Sequence, residues 1–354
     1  MKVLGYAAPA PKAALVPFRF ERRAPRADDV VIEIQFCGVC HSDLHHARND
    51  WGRTTFPVVP GHEIIGKVVA VGAEVRRFQP GDRVGVGCMV DSCRQCSPCE
   101  QGHEQYCEHQ TTYTYNGIDR HDDLRTYGGY SQTIVVSDRF VLKVPSGLDP
   151  AGAAPLLCAG ITTWSPLRRW NVRAGSRVAV IGLGGLGHMA LKLAHALGAQ
   201  VALFARSAGR EEDARRLGAD QIVYSTDAAQ MATVKGRFDL IIDTVPYDHD
   251  IHPYLPTLAV DGTLVLVGYL GELSKPLNTV ALIGGRKAVA GSLIGGIPET
   301  QEMLDFCGLH QITSDVEVIR MDEINAAFER MLASDVKYRF VIDMATLQDT
   351  PEVA

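Results

Sequence analysis

The chain begins without an apolar leader. Lys2-Val3-Leu4-Gly5-Tyr6 follow Met1 directly, and nothing there resembles the apolar core of a secretory signal. No run anywhere reaches the ~20 apolar positions needed to cross a bilayer, so no membrane span is expected. Positive charge is in deficit: 35 Lys and Arg stand against 41 Asp and Glu, a formal net charge of −6. That leaves no basic footprint, so nucleic acid is not an expected partner. Low-complexity segments and internal repeats are also missing. Hydrophobic residues at 46% and charged residues at 21% read as an ordinary globular sequence. The nine cysteines are an odd number and cannot all pair. Without a leader the expected compartment is the cytoplasm, where disulfides are disfavoured. A chain of 354 residues is long enough for two domains.

Four cysteines are concentrated in one run, Cys93-Arg-Gln-Cys96-Ser-Pro-Cys99, followed by Cys107. Thiolates at this spacing can close around one Zn²⁺ with every position filled by protein, which defines a structural site. An iron–sulfur cluster is the alternative, but the run departs from the bacterial cluster pattern, which ends in Cys-Pro after three spacer residues.

The pattern changes along the chain. Up to about residue 150 it reads as strands and turns, with β-branched runs at Val30–Phe36, Lys67–Val71, Asp82–Val86 and Gln132–Val136. From about residue 156 strands alternate with helices: Arg177–Ile181, Val201–Phe204, Gln221–Tyr224, Phe238–Ile242, Thr263–Val267 and Ala288–Gly291, with a helix over Leu186–Leu197. The fold class is therefore α/β, a doubly wound parallel sheet at 156–296 after a β-rich domain at 1–155. The tail, 297–354, is expected to hold a helix and then a strand at Tyr338–Ile342 that returns to the first domain.

Between the strand at Arg177–Ile181 and its helix lies Gly182-Leu-Gly184-Gly185-Leu186-Gly187. In that context the glycine pattern marks a dinucleotide site, with the pyrophosphate at the helix N-terminus. The acid that selects a ribose 2′-hydroxyl is expected ~20 residues further on. Arg206 and Ser207 stand there instead, with Arg210 nearby and no acid before Glu211. Guanidinium and hydroxyl donors suit a 2′-phosphate, so NADP(H) is the expected cofactor.

Further metal-type residues lie outside the four-cysteine run: Cys40 in Cys37-Gly-Val-Cys40-His-Ser-Asp43, His62-Glu63 after Pro60-Gly61, and Cys158. Two thiolates and an imidazole leave one position open for water or substrate, which is a catalytic arrangement. Asp43 is the expected partner that orients His62. Each residue also has a plainer reading, the cysteines as buried thiols and His62 as a turn residue.

These features come together in a resemblance. The chain resembles the zinc-dependent medium-chain alcohol dehydrogenases, and within them the cinnamyl alcohol dehydrogenase branch with its bacterial aldehyde reductase relatives. The likeness runs through Cys37-Gly-Val-Cys-His-Ser-Asp-Leu-His45, Val59-Pro-Gly-His-Glu63, Val86-Gly-Cys-Met-Val-Asp-Ser-Cys93, Cys158-Ala-Gly-Ile-Thr-Thr, Gly291-Ser-Leu-Ile-Gly295 and Lys337-Tyr-Arg-Phe340. It implies a chaperonin-10-like β-barrel for the first domain and a homodimer. It implies two zinc ions, a catalytic one on Cys40, His62 and Cys158 with Glu63 exchanging onto it, and a structural one on Cys93, Cys96, Cys99 and Cys107. That catalytic trio is the established one of alcohol dehydrogenases. Ser42 and His45 would relay a proton through the cofactor ribose to solvent. His41 and Arg339 would contact the cofactor phosphates, while Thr162, Thr244, Ser292 and Ile294 would lie along the cofactor.

The same resemblance places Trp51, Arg53, Cys88, Tyr113, Tyr269, Leu293 and Ile294 around the substrate. The aromatic residues suit an unbranched or aromatic tail. Arg53 replaces an apolar residue usual in the family; it either points to solvent or favours a polar or anionic far end. The expected activity is zinc-dependent hydride transfer between NADP(H) and small primary alcohols or aldehydes, chiefly aldehyde reduction. The alternatives are a catalytically silent NADPH-binding protein and a zinc-stapled interaction module.

Overall fold

A computed structural model describes residues 1–268 and 271–349. The chain forms two compact units: Met1–Cys158 together with the chain from Gly295 onward, and Ala159–Ile294. The sequence reading places these junctions at 155/156 and 296/297.

In the first unit the β-branched runs pair into a seven-stranded sheet. Its order is Val316–Arg320, Arg339–Asp343, Asp29–Val39, Ile64–Val71, Arg83–Val86 and Leu142–Lys143, with Thr133–Ser137 also on Asp29–Val39. The central Asp29–Val39 strand is the organiser. Its last third pairs antiparallel with the tail strand (Phe340 opposite Val39) and with Ile64–Val71 (Cys37 opposite Ile64). This register is specified because the strand buries side chains on both faces, and a slip by one residue would exchange them. Its end therefore fixes where Cys40 begins, beside residues 62–63 and 339. Gly38 N–H donates to the Glu63 carbonyl at 2.9 Å. A Cβ on Gly38 would stand 1.9 Å from Glu63 Oε2, so only glycine leaves room for that carboxylate.

The tail departs from expectation. It holds two helices, Ile297–His310 and Ile324–Leu332, and a strand between them at Val316–Arg320, where one helix was expected. The short Val316–Arg320 carries Glu317 and Arg320 and lies at the sheet edge, which blurs its β signal. The second helix was legible, since Ile324, Ala327, Phe328 and Met331 share one buried face. The hairpin of Lys2–Ala7 with Val16–Glu21 and the helix Ala159–Arg169 were also not anticipated. That helix is buried along nearly its whole length, so it shows little amphipathic period.

The second unit is a six-stranded parallel sheet in the order Gln221–Tyr224, Gln200–Ala205, Arg177–Ile181, Phe238–Asp243, Leu258–Leu266, Ala288–Gly291. Numbered along the chain this is 3-2-1-4-5-6, the doubly wound dinucleotide order. Its core packs Phe204 edge-on against Phe238 and Tyr254, with centroids 5.5 and 5.0 Å apart.

At the end of the fourth of these strands, Asp243 is fully buried. His249 Nε2 lies 3.0 Å from its Oδ2, and His249 Nδ1 lies 3.0 Å from the Tyr247 carbonyl. The Asp243 carboxylate raises the His249 imidazole above its ordinary value. A histidine raised in the folded state stabilises fully below its unfolded pKa of ~6.5, and that stabilisation is lost as pH rises through the folded value. The melting advantage of the wild type over His249→Gln is therefore expected to shrink between pH 6 and pH 9. An advantage that grows with pH would contradict the pairing.

Candidate active site and metal centres

Within the first unit, one ligand atom each from Cys40, His62, Glu63 and Cys158 lies within 4.8 Å of the others, and all four residues are buried. The two sulfurs are 3.9 Å apart. Cys40 caps the helix His41–Arg48, His62 and Glu63 precede the strand Ile64–Val71, and Cys158 ends the unit. Asp43 holds them in place. Its Oδ1 accepts from Gly61 N–H and faces His62 Nδ1, both at 3.0 Å. Its Oδ2 accepts from Cys40 N–H at 2.9 Å and from the Tyr130 hydroxyl at 3.2 Å. With Nδ1 committed, Nε2 is the histidine nitrogen left for a metal.

The electrostatics favour a cation. Burial works against a charged His62, yet the Asp43 carboxylate overrides it and holds the imidazole well above its ordinary range. The neighbouring Cys158 thiol, with Arg339 and His62, holds Cys40 well below the usual thiol range. Burial pushes the Glu63 carboxyl up to about 7, against the pull of Arg339. One thiolate, a second thiol and a carboxyl thus converge on one buried point, and this donor chemistry fits zinc.

The family resemblance places Arg339 at the cofactor phosphates. The structure turns its Nη2 onto Glu63 Oε1, with both side chains buried, and leaves its Nε without a partner. Ser42 follows on the helix His41–Arg48. His45 Nδ1 pairs with Asp50 Oδ2 at 2.9 Å, a partner the sequence reading did not single out. His41 is exposed, its ring 6.3 Å from that of His45. The Trp51 ring lies 5.2 Å from His45 and 4.9 Å from His46, and the Arg53 guanidinium stands 5.3 Å from the Trp51 centroid. Cys88 and Tyr113 come together where the Cys88 carbonyl accepts from Thr114 N–H. Tyr115 and His46 were also missed; their rings link Trp51 to His62. Tyr269 lies outside the described residues.

The four-cysteine run forms a second cluster with all sulfurs within 4.8 Å. Cys93 N–H points to Cys107 Sγ and Cys96 N–H to Cys93 Sγ, each at 3.3 Å. Such donors stabilise thiolates, so this set also fits zinc. No disulfide joins any of the nine cysteines.

In the second unit the Gly182–Gly187 turn opens the helix Gly187–Ala196. A Cβ on Gly187 would come within 2.1 Å of the Gly182 carbonyl, so close packing demands glycine. At Gly184 a Cβ would meet nothing within 4 Å, which leaves space for a phosphate. Gly185 and Leu186 complete the turn, and Arg210 Nη1 donates to the Leu183 carbonyl at 2.9 Å. Arg206 and Ser207 are exposed. Glu211, the first acid, is bound by Tyr224 and by Gly209 N–H, which keeps it from ribose recognition. Thr162 is buried, and the Thr244 hydroxyl donates to the Ile181 carbonyl at 2.8 Å. Ser292 N–H donates to the Leu266 carbonyl, Leu293 is exposed, and Ile294 holds a left-handed φ of 36°, an outlier for a β-branched residue. These features fit a dinucleotide.

Comparison with known proteins agrees. Residues 26–146 match the alcohol dehydrogenase GroES-like domain and residues 185–308 the zinc-binding dehydrogenase domain. The chain is 53% identical over 350 residues to aldehyde reductase YahK of Escherichia coli, covering 99% of this chain and 100% of that protein. Cinnamyl alcohol dehydrogenase SbCAD4 of Sorghum bicolor superposes with TM-score 0.93 at 46% identity over 98% of each chain. CAD of Helicobacter pylori, solved with NADP(H), superposes with TM-score 0.91 at 41% identity over 98% of this chain and 99% of that one. The chain belongs to the zinc-type medium-chain alcohol dehydrogenases. It is an oxidoreductase, with a GroES-like domain followed by a Rossmann-type one.

Removing Asp43 tests the site directly. Asp43→Ala is expected to lower zinc affinity at the Cys40 cluster by about 10- to 100-fold in chelator competition. Zinc at the four-cysteine run should be retained. Equal loss from both clusters would contradict the assignment of Asp43 to one of them.

Proposed function

We propose that this oxidoreductase is an NADPH-dependent reductase of primary aldehydes, with two zinc ions per chain. The observation that carries it is the buried set of Cys40, His62, Glu63 and Cys158 around one point, oriented by Asp43. The aldehyde reductase relative supports the substrate class, and the NADP(H) complex of the Helicobacter pylori relative supports the cofactor. Cys40, His62 and Cys158 would hold the catalytic ion and leave one position open, with Glu63 close enough to exchange onto it; Cys93, Cys96, Cys99 and Cys107 would hold the structural one. When bound, zinc supplies a Lewis acid that polarises the substrate carbonyl, and NADPH supplies the hydride.

The protein's own part is to position and to move a proton. Asp50 fixes the tautomer of His45 and leaves its Nε2 free, and the Ser42 hydroxyl makes no hydrogen bond among the described residues. Ser42 and His45 thus form the relay to the substrate oxygen, with Asp50 exposed to solvent at its end. Ser42→Ala and His45→Ala are each expected to lower kcat by about 10²- to 10⁴-fold without loss of zinc. Near-normal kcat in both, with chemistry rate-limiting, would remove the relay.

Arg206 and Ser207 provide free donors for the 2′-phosphate, with Arg210 held at the glycine turn. Within the second unit, Thr162, Thr244, Ser292 and Ile294 would supply the remaining cofactor contacts. A charge-assisted phosphate contact of ~1.5–3 kcal/mol gives roughly 10- to 100-fold preference for NADPH over NADH. Steady-state kcat/KM with both cofactors measures it, and Arg206→Asp is expected to reverse the order. Comparable values for both in the wild type would exclude this reading.

In the first unit, Trp51, Cys88 and Tyr113 offer a largely apolar surface, which supports broad reduction of aromatic and unbranched aliphatic aldehydes over ketones. NADPH oxidation across an aldehyde and ketone panel tests the whole proposal. Cofactor binding with no aldehyde turnover would leave a silent NADPH-binding protein.

We also propose a cytoplasmic homodimer. Its support is the edge strand Ala288–Gly291 and the neighbouring helix Val280–Ile283, whose Val280 and Ile283 are 74% and 77% exposed. Nine cysteines without a disulfide suit a reducing compartment. Among the described residues no helix is long and apolar enough to cross a membrane. Sedimentation should give twice the chain mass for the wild type and monomer for Ile283→Glu; a monomeric wild type would exclude the dimer.

A further inference from the structure

Arg53 sits in a loop whose backbone is tied on both sides. Asn49 Oδ1 accepts from Thr54 N–H at 3.0 Å. Asn116 Oδ1 accepts from Thr55 N–H at 2.9 Å, and its Nδ2 donates to the Arg53 carbonyl at 3.2 Å. The guanidinium is therefore carried on a fixed backbone and stacked 5.3 Å from the Trp51 centroid, so little ordering entropy remains to be lost on binding an anion.

Among the described residues it has no counter-charge. Asp50, the acid nearest in sequence, is engaged by His45 Nδ1 at 2.9 Å and Arg48 Nε at 3.5 Å. Among the described residues Arg53 forms no ion pair, in a chain whose net charge is −6. A row of rings leads from it to the metal set: Trp51 to His46 at 4.9 Å, His46 to Tyr115 at 5.1 Å, Tyr115 to His62 at 5.8 Å. Tyr113 is 43% exposed and lies beside Cys88. Burial raises the Tyr113 phenol, and the Arg53 charge works against that rise.

We infer that Arg53 is a specificity residue that receives a carboxylate at the end of the substrate remote from its carbonyl, making acid-terminated aldehydes a favoured substrate class. The inference rests on the aldehyde reductase reading above. A guanidinium that forms no ion pair among the described residues, stacked on an aromatic face at the end of a row of rings, has the geometry for a planar anion.

The test uses the zinc-loaded full-length enzyme with NADPH and a homologous series of dicarboxylic semialdehydes, each against its own methyl ester. The ratio of kcat/KM, acid over ester, is expected to reach about three- to tenfold at the best chain length, a charge-assisted contact discounted for exposure. The preference should lie in KM and weaken with added salt. Arg53→Gln should bring the ratio to about one, and Arg53→Lys should keep part of it. A wild-type ratio at or below one overturns the inference. So does a ratio that Arg53→Gln leaves unmoved, including the case where KM rises equally for acid and ester because Arg53 only props Trp51. If the wild type turns over neither acids nor esters, the reductase reading itself fails.

Discussion

The carboxylate of Asp43 is the constraint on which the rest of the site depends. It is completely buried, and a buried charge is tolerated only when its lone pairs are met. Cys40 N–H, Gly61 N–H, the Tyr130 hydroxyl and His62 Nδ1 meet them. These four partners come from three parts of the chain: the helix start at Cys40, the turn at Gly61–His62 and the approach to a strand at Tyr130. Satisfying one carboxylate therefore places a thiol and an imidazole on the same side of the same point. The remaining charge of Asp43 then makes that point hospitable to a cation.

The sheet register supplies what Asp43 does not reach. Pairing of the Asp29–Val39 strand with both Ile64–Val71 and Arg339–Asp343 brings Glu63 against Arg339. Gly38 leaves the space for that pair. The ion pair is buried and offsets much of its desolvation internally, so Glu63 stays near the metal set without drifting into solvent. Function here follows from strand pairing in the core, with the chemistry presented where strands end.

Much of this was legible in the sequence, for physical reasons. Cysteine spacing at 93, 96, 99 and 107 is a local signal, because the loop that closes the cluster is short. The glycines at 182, 184 and 187 are local too, since each answers a close approach inside one turn. Asp43 and His62 were readable as a pair because a ligating imidazole needs an acceptor. Less legible were contacts made by register alone. Nothing near residue 339 announces Glu63 as its partner; only the return of the tail strand does so. Asp50 on His45, and the ring row through His46 and Tyr115, were hidden because ordinary residue types acquire their roles from packing. The buried helix Ala159–Arg169 and the edge strand Val316–Arg320 escaped because neither shows the period of its element.

The claim beneath all of this is that the Asp43-centred cluster holds its own metal, separate from the four-cysteine run. Elemental analysis of freshly purified, unchelated protein measures that most directly. Two zinc ions per chain are expected in the wild type and one in Cys158→Ser, with the secondary structure retained. One zinc per chain in both proteins would contradict it.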